Sequence, residues 1–187
     1  MDALSDSAID TYPIGDTHWN QYGAYKCYIE LEKILGRTDT LGDIDFIKQD
    51  TPCDLGMKIY SNYTESLPVA KFKKNTCKME FHNKIINQGE IIIFNNPDAP
   101  VKNNVVFFRD SFGSRLFHFL IRTYSRVVAI WQPSIDFNII NIEKPDLVIS
   151  EQSERFLISP PSDSSALGVE ELVLSKNRNA NLYYTKA

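Results

Sequence analysis

Short apolar runs dominate the second half of the chain and predict buried β-strands, at residues 91–94, 105–108, 126–131 and 146–150. Strands that are apolar on both faces are typical of a parallel sheet covered on both sides. Between the second and third runs, apolar residues recur at helical spacing over 113–125, and residues 134–143 offer a further crossover. The alternation of strand and helix predicts a three-layer α/β/α fold with a mainly parallel sheet.

The first half of the chain has a different pattern. Apolar positions from Trp19 to about Leu35 predict a helix that Gly36 ends. Residues 37–88 show no sustained period and are interpreted as an irregular insertion within a domain that spans 1–158. After a short predicted helix at 151–157, residues 159–187 form a linker and a peripheral extension, with 172–184 predicted as a strand or hairpin.

Composition narrows the class of protein. The 187 residues are 43% hydrophobic, which provides enough apolar material for a core and excludes a disordered chain. The net charge of -4 gives no general attraction for nucleic acid or an anionic membrane. No apolar run reaches the roughly 20 residues of a membrane span, and the polar, acidic start has no signal-peptide pattern. The three cysteines match no metal-binding spacing, and pairing of Cys53 with Cys77 stays open.

The first candidate for chemistry is the pair Asp16 and His18, just ahead of the predicted first helix. Extended residues two positions apart point to the same side, so the carboxylate can orient the imidazole ring. Such a pair is half of a nucleophilic site, and the other half is an activated hydroxyl or thiol. The alternative is that Asp16 caps the helix and His18 is a surface residue.

The second candidate is Ser111, directly after the apolar run 105–108 and before a helix that starts near Gly113. Ligands of such sheets bind beyond the carboxyl ends of the strands. A hydroxyl at a helix N-terminus lies near free backbone N–H groups that suit a developing oxyanion. The alternative is that Asp110 or Ser111 only caps the helix. No cluster of His, Cys and Asp has metal-binding spacing, and no cofactor motif appears.

Three separated blocks carry a family resemblance: Asp16-Thr17-His18-Trp19-Asn20-Gln21-Tyr22-Gly23-Ala24, Arg109-Asp110-Ser111-Phe112-Gly113 and residues 144–157. They resemble, in order, the blocks of the alginate O-acetyltransferase family, the SGNH-hydrolase-like domain of exopolysaccharide acetylation. The Asp-His block precedes the Ser block, which is the permuted order of that family. A short Asp54-Leu55 element is also similar. The chain departs from the family at Arg109, where a small residue is usual, and it has little of the portion that precedes the Asp-His block.

The resemblance implies an SGNH-hydrolase-like fold and a serine-dependent O-acetyltransferase acting on a polysaccharide hydroxyl. It implies Ser111 as nucleophile, His18 as general base and Asp16 as the acid that orients the ring. By position, candidate oxyanion or substrate contacts are Gly113, Trp131, Gln132, Gln152 and Trp19. It also implies an extracytoplasmic, periplasmic setting, no cofactor or metal, and an acetyl donor supplied by a membrane partner. Two alternatives remain: an O-acetyl esterase of the same fold, and a non-catalytic carbohydrate-binding or assembly component.

Overall fold

The computed structural model describes residues 4, 9–38, 40–42, 44–164, 166–177 and 182. The chain divides into two compact units, Met1–Asn75 and Thr76–Ala187. The predicted insertion at 37–88 runs across this division and contains regular elements of both units.

The first unit contains two helices and a two-stranded sheet: α1 Gln21–Ile34, β1 Asp45–Pro52, α2 Asp54–Ile59 and β2 Thr64–Lys71. The predicted first helix is confirmed. Its N-cap is Asn20, whose side chain accepts the Gly23 N–H, and the chain leaves the helix through Gly36 at φ +73°. Asp16 therefore does not cap this helix. Strands β1 and β2 pair antiparallel, from Asp45 opposite Lys71 to Pro52 opposite Thr64.

The second unit is built on five strands: β3 Lys78–His82, β4 Ile91–Asn95, β5 Val101–Arg109, β6 Tyr124–Trp131 and β7 Leu147–Ser150. Helix α3 Gly113–Thr123 connects β5 to β6, and α4 Phe137–Glu143 connects β6 to β7. All four predicted strands and both crossover helices are confirmed as elements. The strand order is β3-β4-β6-β5-β7.

The predicted three-layer fold with a mainly parallel sheet is wrong. Strand β5 is parallel to β6 and β7, but β3 pairs antiparallel with β4, and β4 pairs antiparallel with β6. Only residues 96–100 separate β4 from β5, and a parallel connection needs about a dozen residues or more. The described chain is therefore an α+β fold with a mixed sheet and a separate antiparallel pair of strands.

Two further predictions, both near the C-terminus, differ from the structure. Residues 151–157 form only a short 3-10 turn, Glu154–Phe156. The predicted strand or hairpin at 172–184 is wrong over its first part, which belongs to α5 Val169–Lys176. Beyond Asn177 that prediction lies outside the described residues, apart from position 182.

One face of the five-stranded sheet packs into a buried hydrophobic cluster. Strands β4, β5 and β6 contribute Ile91, Ile93, Val106, Phe108, Val128 and Ile130, and α4 and α5 contribute Ile139, Val169 and Val173. Helix α3 packs on the sheet through Phe117, whose ring meets Phe94 edge to face at 5.7 Å. This core fixes the ends of β5 and β7, where the polar side chains described below are placed.

Candidate active site

Asp16 and His18 meet in the loop that precedes α1. The Asp16 Oδ1 atom accepts the backbone N–H of His18 at 2.9 Å and lies 2.9 Å from His18 Nδ1. An Asp side chain that bonds the backbone two residues on forms an Asx turn, so a turn rather than an extended segment brings the pair together. The Asp16 side chain is 4% exposed and that of His18 is 22% exposed. Because a carboxylate only accepts, Nδ1 carries the proton and Nε2 is the basic nitrogen.

Asp54 is a second acid beside the His18 ring, and no role for it is predicted from the sequence. Its Oδ1 atom accepts the Thr17 backbone N–H at 2.8 Å, and its Oδ2 atom accepts the Thr17 hydroxyl at 2.5 Å. The same Oδ2 atom lies 3.7 Å from His18 Nδ1, and the Thr17 hydroxyl lies 3.1 Å from that nitrogen. Burial alone favours the neutral acid, but the hydrogen bonds from Thr17 and the nearby ring outweigh it and lower the pKa of Asp54.

The same three side chains form a group that can hold a metal ion. Each of Asp16, His18 and Asp54 offers one ligand atom, and these atoms all lie within 4.8 Å of one another. One imidazole and two carboxylates are ligand types that zinc and other divalent cations accept. In the structure Asp16 hydrogen-bonds to His18 within the loop, and Asp54 at the start of α2 accepts hydrogen bonds from Thr17 of that loop.

Ser111 lies in the turn between β5 and α3, half-buried, and its carbonyl accepts the Ser114 N–H at 3.3 Å. Neither Asp110 nor Ser111 caps α3, since Phe112 stands at the N-cap and makes no side-chain cap hydrogen bond. Asp110 instead accepts the Phe112 N–H at 2.7 Å through Oδ1. The turn thus places Ser111 directly before the first turn of α3, at the positive end of the helix dipole.

Arg109 stabilises this turn from the buried side. Its guanidinium donates to the carbonyl of Asp110 and to the hydroxyl of Ser114, both at 3.0 Å. It pairs with Glu90 at 2.5 Å and lies 4.6 Å above the centre of the Trp131 ring. The side chain is 3% exposed. Arg109 therefore holds the backbone carbonyl of Asp110 before Ser111 and the side chain of Ser114 after it.

Glu151 and Ser153 link the Ser111 turn to the end of β7. The Glu151 carboxylate accepts the Asp110 N–H at 3.2 Å, and the Asp110 carboxylate accepts the backbone N–H of Ser153 at 2.9 Å and its hydroxyl at 2.7 Å. Burial raises the pKa of Glu151 to about 7, and the charge of Asp110 adds to the shift. No local sequence pattern marks Asp110 and Glu151 as neighbours, because only the parallel pairing of β5 with β7 brings them together.

The other residues proposed as oxyanion or substrate contacts fall in different surroundings. Gly113 is buried at the start of α3, and Trp131 is half-buried against Arg109. Trp19 is buried, at 8% exposure, beside the start of α1. Gln132 is also buried.

The two glutamine amides form hydrogen bonds inside the second unit. Gln132 Nε2 donates to the Ser134 hydroxyl at 3.0 Å and to the Leu167 carbonyl at 3.1 Å. Gln152 Nε2 donates to the Pro133 carbonyl at 2.6 Å. These contacts anchor the segments after β6 and β7, and a role for either amide in binding substrate stays a prediction.

The structure thus brings Asp16 and His18 together in the first unit and places Ser111 at the end of β5 in the second. Ser111 as their partner remains a prediction. Within the described residues, no helix is long and apolar enough to cross a membrane.

Comparison with known proteins gives a likeness of fold. No family model matches the sequence, and no curated protein matches it. Among solved structures, Bacillus cereus PatB1 matches with a TM-score of 0.59 at 13% identity, over 79% of this chain and 64% of that chain. PatB1 with a sulfonyl adduct matches with a TM-score of 0.60 at 14% identity, over 79% and 62%.

A DHHW family protein from Eubacterium siraeum matches with a TM-score of 0.57 at 12% identity, over 75% of this chain and 58% of that chain. The chain therefore spans less than two thirds of the length of each of these three structures. At such low identity the likeness shows the fold alone, and it does not support the alginate O-acetyltransferase family specifically.

Proposed function

We propose that this protein is a serine-dependent acyltransferase that moves an acetyl group onto a polysaccharide hydroxyl through an acetyl-serine intermediate. Ser111 is the nucleophile, His18 the general base and Asp16 the residue that orients the ring. The observation that carries the proposal is the 2.9 Å contact between the buried Asp16 carboxylate and His18 Nδ1. It leaves Nε2 as the nitrogen that takes a proton, which is how the acid–base half of a triad works.

The fold supports the proposal from a second direction. The chain resembles PatB1, one structure of which contains a sulfonyl adduct, and sulfonyl electrophiles form adducts with nucleophilic side chains. This likeness suggests an acyltransferase type of function. The position of Ser111 before α3 adds the positive end of the helix dipole, which suits a negatively charged oxygen.

The reaction has two half-steps with the same proton transfers. His18 Nε2 takes the hydroxyl proton of Ser111 as Oγ attacks the acetyl carbonyl carbon, and the proton then goes to the leaving group as its bond to that carbon breaks. In the second half-step His18 takes the proton of the acceptor hydroxyl, that oxygen attacks the acetyl-serine carbonyl, and the proton returns to Ser111 Oγ. Asp16 stabilises the imidazolium that forms in each half-step.

The decisive experiment is covalent labelling by an activated acetyl ester or a sulfonyl fluoride, read by intact mass and peptide mapping. We expect the label on Ser111, with loss of labelling in Ser111→Ala. The exposed Ser159 provides the matched control, and Ser159→Ala keeps wild-type labelling. Equal labelling of Ser111→Ala and wild type, with both folded, rejects the proposal.

Transfer and hydrolysis differ only in the acceptor of the second half-step. A pre-formed acetyl-enzyme is therefore mixed with buffer alone or with buffer containing mannuronan oligosaccharide. Faster loss of the acetyl group with the oligosaccharide, together with an acetylated sugar product, supports a transferase. Equal loss in both, with release of free acetate, supports the esterase alternative. No acetyl-enzyme at all supports the non-catalytic carbohydrate-binding alternative.

A metal-dependent reaction is the second candidate, favoured by the convergence of Asp16, His18 and Asp54. The two candidates give opposite results on treatment with a chelator. A serine-dependent enzyme keeps its labelling rate, whereas a metal-dependent one loses activity and regains it on addition of zinc.

The setting of the reaction also belongs to the proposal. Polysaccharide acetylation outside the cytoplasm requires an acetyl donor delivered across a membrane, so we expect a membrane protein as donor partner. Co-purification of the chain with such a protein in the presence of mild detergent tests this expectation, and purification of the chain without any membrane protein under those conditions contradicts it.

A further inference from the structure

The acid that follows β7, Glu151, contacts the backbone on both sides of Ser111. Its backbone N–H continues the ladder between β5 and β7 by donating to the Phe108 carbonyl at 2.9 Å. Its carboxylate accepts the Asp110 N–H at 3.2 Å, and the Gly113 N–H also hydrogen-bonds to it. A Cβ atom on Gly113 would lie only 2.9 Å from Glu151 Oε2. The glycine therefore permits this close approach.

The contact is reciprocal. While Glu151 binds the backbone of Asp110, the Asp110 carboxylate binds the backbone and hydroxyl of Ser153, two residues after Glu151. Burial, together with the nearby charge of Asp110, raises the pKa of Glu151 to about 7, so of the two acids Glu151 is the one that holds a proton at and below neutral pH. The Ser111 turn is thus attached to the end of β7 by two acids, one of which holds a proton.

The charges that face this pair come from several elements. Arg109 on β5 attracts both acids and is itself paired with Glu90, just before β4. Glu90 is also 3.3 Å from Nε2 of His82 on β3. Arg109 is therefore shared among acids, and Asp110 is the negative group whose charge raises the pKa of Glu151.

Ionisation of Glu151 has a predictable effect on chemistry at Ser111. It places a negative charge against the first N–H group of α3, where the developing oxyanion needs positive potential. It also sets a second negative charge beside that of Asp110. Both effects oppose acylation.

We propose that Glu151 is a positioning residue for Ser111, active when protonated, and that its ionisation slows acylation of Ser111 at alkaline pH. The inference rests on the proposed function of Ser111. It concerns a residue that does not itself exchange protons with substrate.

The test measures the rate of Ser111 acylation by an activated acetyl ester between about pH 5 and about pH 9. For wild type we expect the rate to fall on the alkaline side of this range as Glu151 ionises. Glu151→Gln keeps the shape and the hydrogen bonds and cannot ionise, so its rate should show no such alkaline decline. With a midpoint near 7, the variant should exceed wild type about tenfold at one pH unit above that midpoint.

Two further variants complete the test. Glu154→Gln changes an exposed acid of the same segment and should keep the wild-type profile. Glu151→Ala removes the contacts as well as the charge and should be slow at every pH, while Glu151→Gln restores the rate. Circular dichroism and thermal unfolding establish that each variant is folded.

The outcomes separate the two proposals. An unchanged alkaline decline in Glu151→Gln, with Ser111→Ala unlabelled, overturns the role of Glu151 and leaves the function standing. Equal labelling of Ser111→Ala and wild type overturns the function, and the role of Glu151 falls with it.

Discussion

At the scale of single residues, the acids beside His18 have unequal roles. Asp16 is buried and contacts the ring directly, whereas Asp54 is 41% exposed and contacts it mainly through Thr17. A buried acid that holds the ring in one tautomer contributes more than an outer one. Comparing the loss of acylation rate on substitution of Asp16 with the loss on substitution of Asp54 therefore tests which contact orients the ring.

We expect Asp16→Asn to lower the rate of Ser111 acylation about 10³-fold or more, and Asp54→Asn to lower it about tenfold. Thr17→Val removes the hydroxyl that links Asp54 to the ring and should match Asp54→Asn. Asp98→Asn, on an exposed loop, is the control. Single-turnover labelling measures all four, and a larger loss in Asp54→Asn than in Asp16→Asn would contradict the assignment.

The raised pKa of Glu151 also predicts a pH-dependent stability. Its value is 4.5 in an unperturbed chain and about 7 in the folded protein, so over this window the folded state holds a proton that the unfolded state has lost. Folding stability therefore falls as pH rises from 4.5 to about 7, by up to roughly 3 kcal/mol from this group. Above about pH 7 Glu151 is ionised in both states and causes no further loss of folding stability.

Glu151→Gln removes this contribution, so its stability relative to wild type should increase with pH across the same window. Urea unfolding at a series of pH values measures the difference. Curves for wild type and variant that stay parallel at all pH values would show that the acid is not perturbed in the folded protein.

At the scale of elements, the start of α3 depends on the missing side chain of Gly113. A Cβ atom there would lie 2.7 Å from Arg109 Cβ and 2.8 Å from Phe107 Cζ, both of them buried. Neither neighbour is the free end of a flexible chain, so the backbone of the turn must shift to admit a methyl group.

We expect Gly113→Ala to lower the free energy of unfolding by about 1–3 kcal/mol and to slow acylation of Ser111, because the turn moves. Gly168→Ala is a suitable control, since the nearest atom to its Cβ would be Asp136 Oδ2 at an ordinary 3.4 Å. Denaturant unfolding and labelling of the two variants provide the measurement. Similar behaviour of both would show that the turn tolerates a methyl group.

The elements also show what the sequence can and cannot predict. The strands β4 to β7 are predictable from the sequence, because strands buried on both faces consist mainly of apolar residues. Helix α3 is predictable because its apolar residues recur at helical spacing. The direction of each strand is not predictable from these runs, since parallel and antiparallel buried strands have the same apolar composition. The five-residue connection 96–100 contains that information, because it is too short for a parallel crossover.

The candidate site likewise contains contacts that the sequence predicts and contacts that it does not. Asp16 and His18 are two positions apart, so their contact was predictable from local geometry. Asp54 lies 37 positions from Thr17, and Glu151 lies 41 positions from Asp110. No local pattern marks such pairs, because they become neighbours only when the chain has folded.

At the scale of the whole molecule, the proposed function requires His18 and Ser111 to act as one catalytic group. Residues that act as one catalytic group give losses that do not add. We therefore expect the double variant His18→Ala, Ser111→Ala to have the same residual acyl-transfer rate as Ser111→Ala alone. A double variant slower by the product of the single losses would indicate that the two residues act independently.

The stacking of Arg109 on Trp131 has a practical consequence. The chain has two tryptophans, so Trp19→Phe leaves a single indole fluorophore, directly against the guanidinium that braces the nucleophile turn. Indole emission depends on the charges and solvent around the ring. The protein therefore carries an intrinsic optical reporter, whose wavelength and lifetime should change when acylation or pH disturbs that loop.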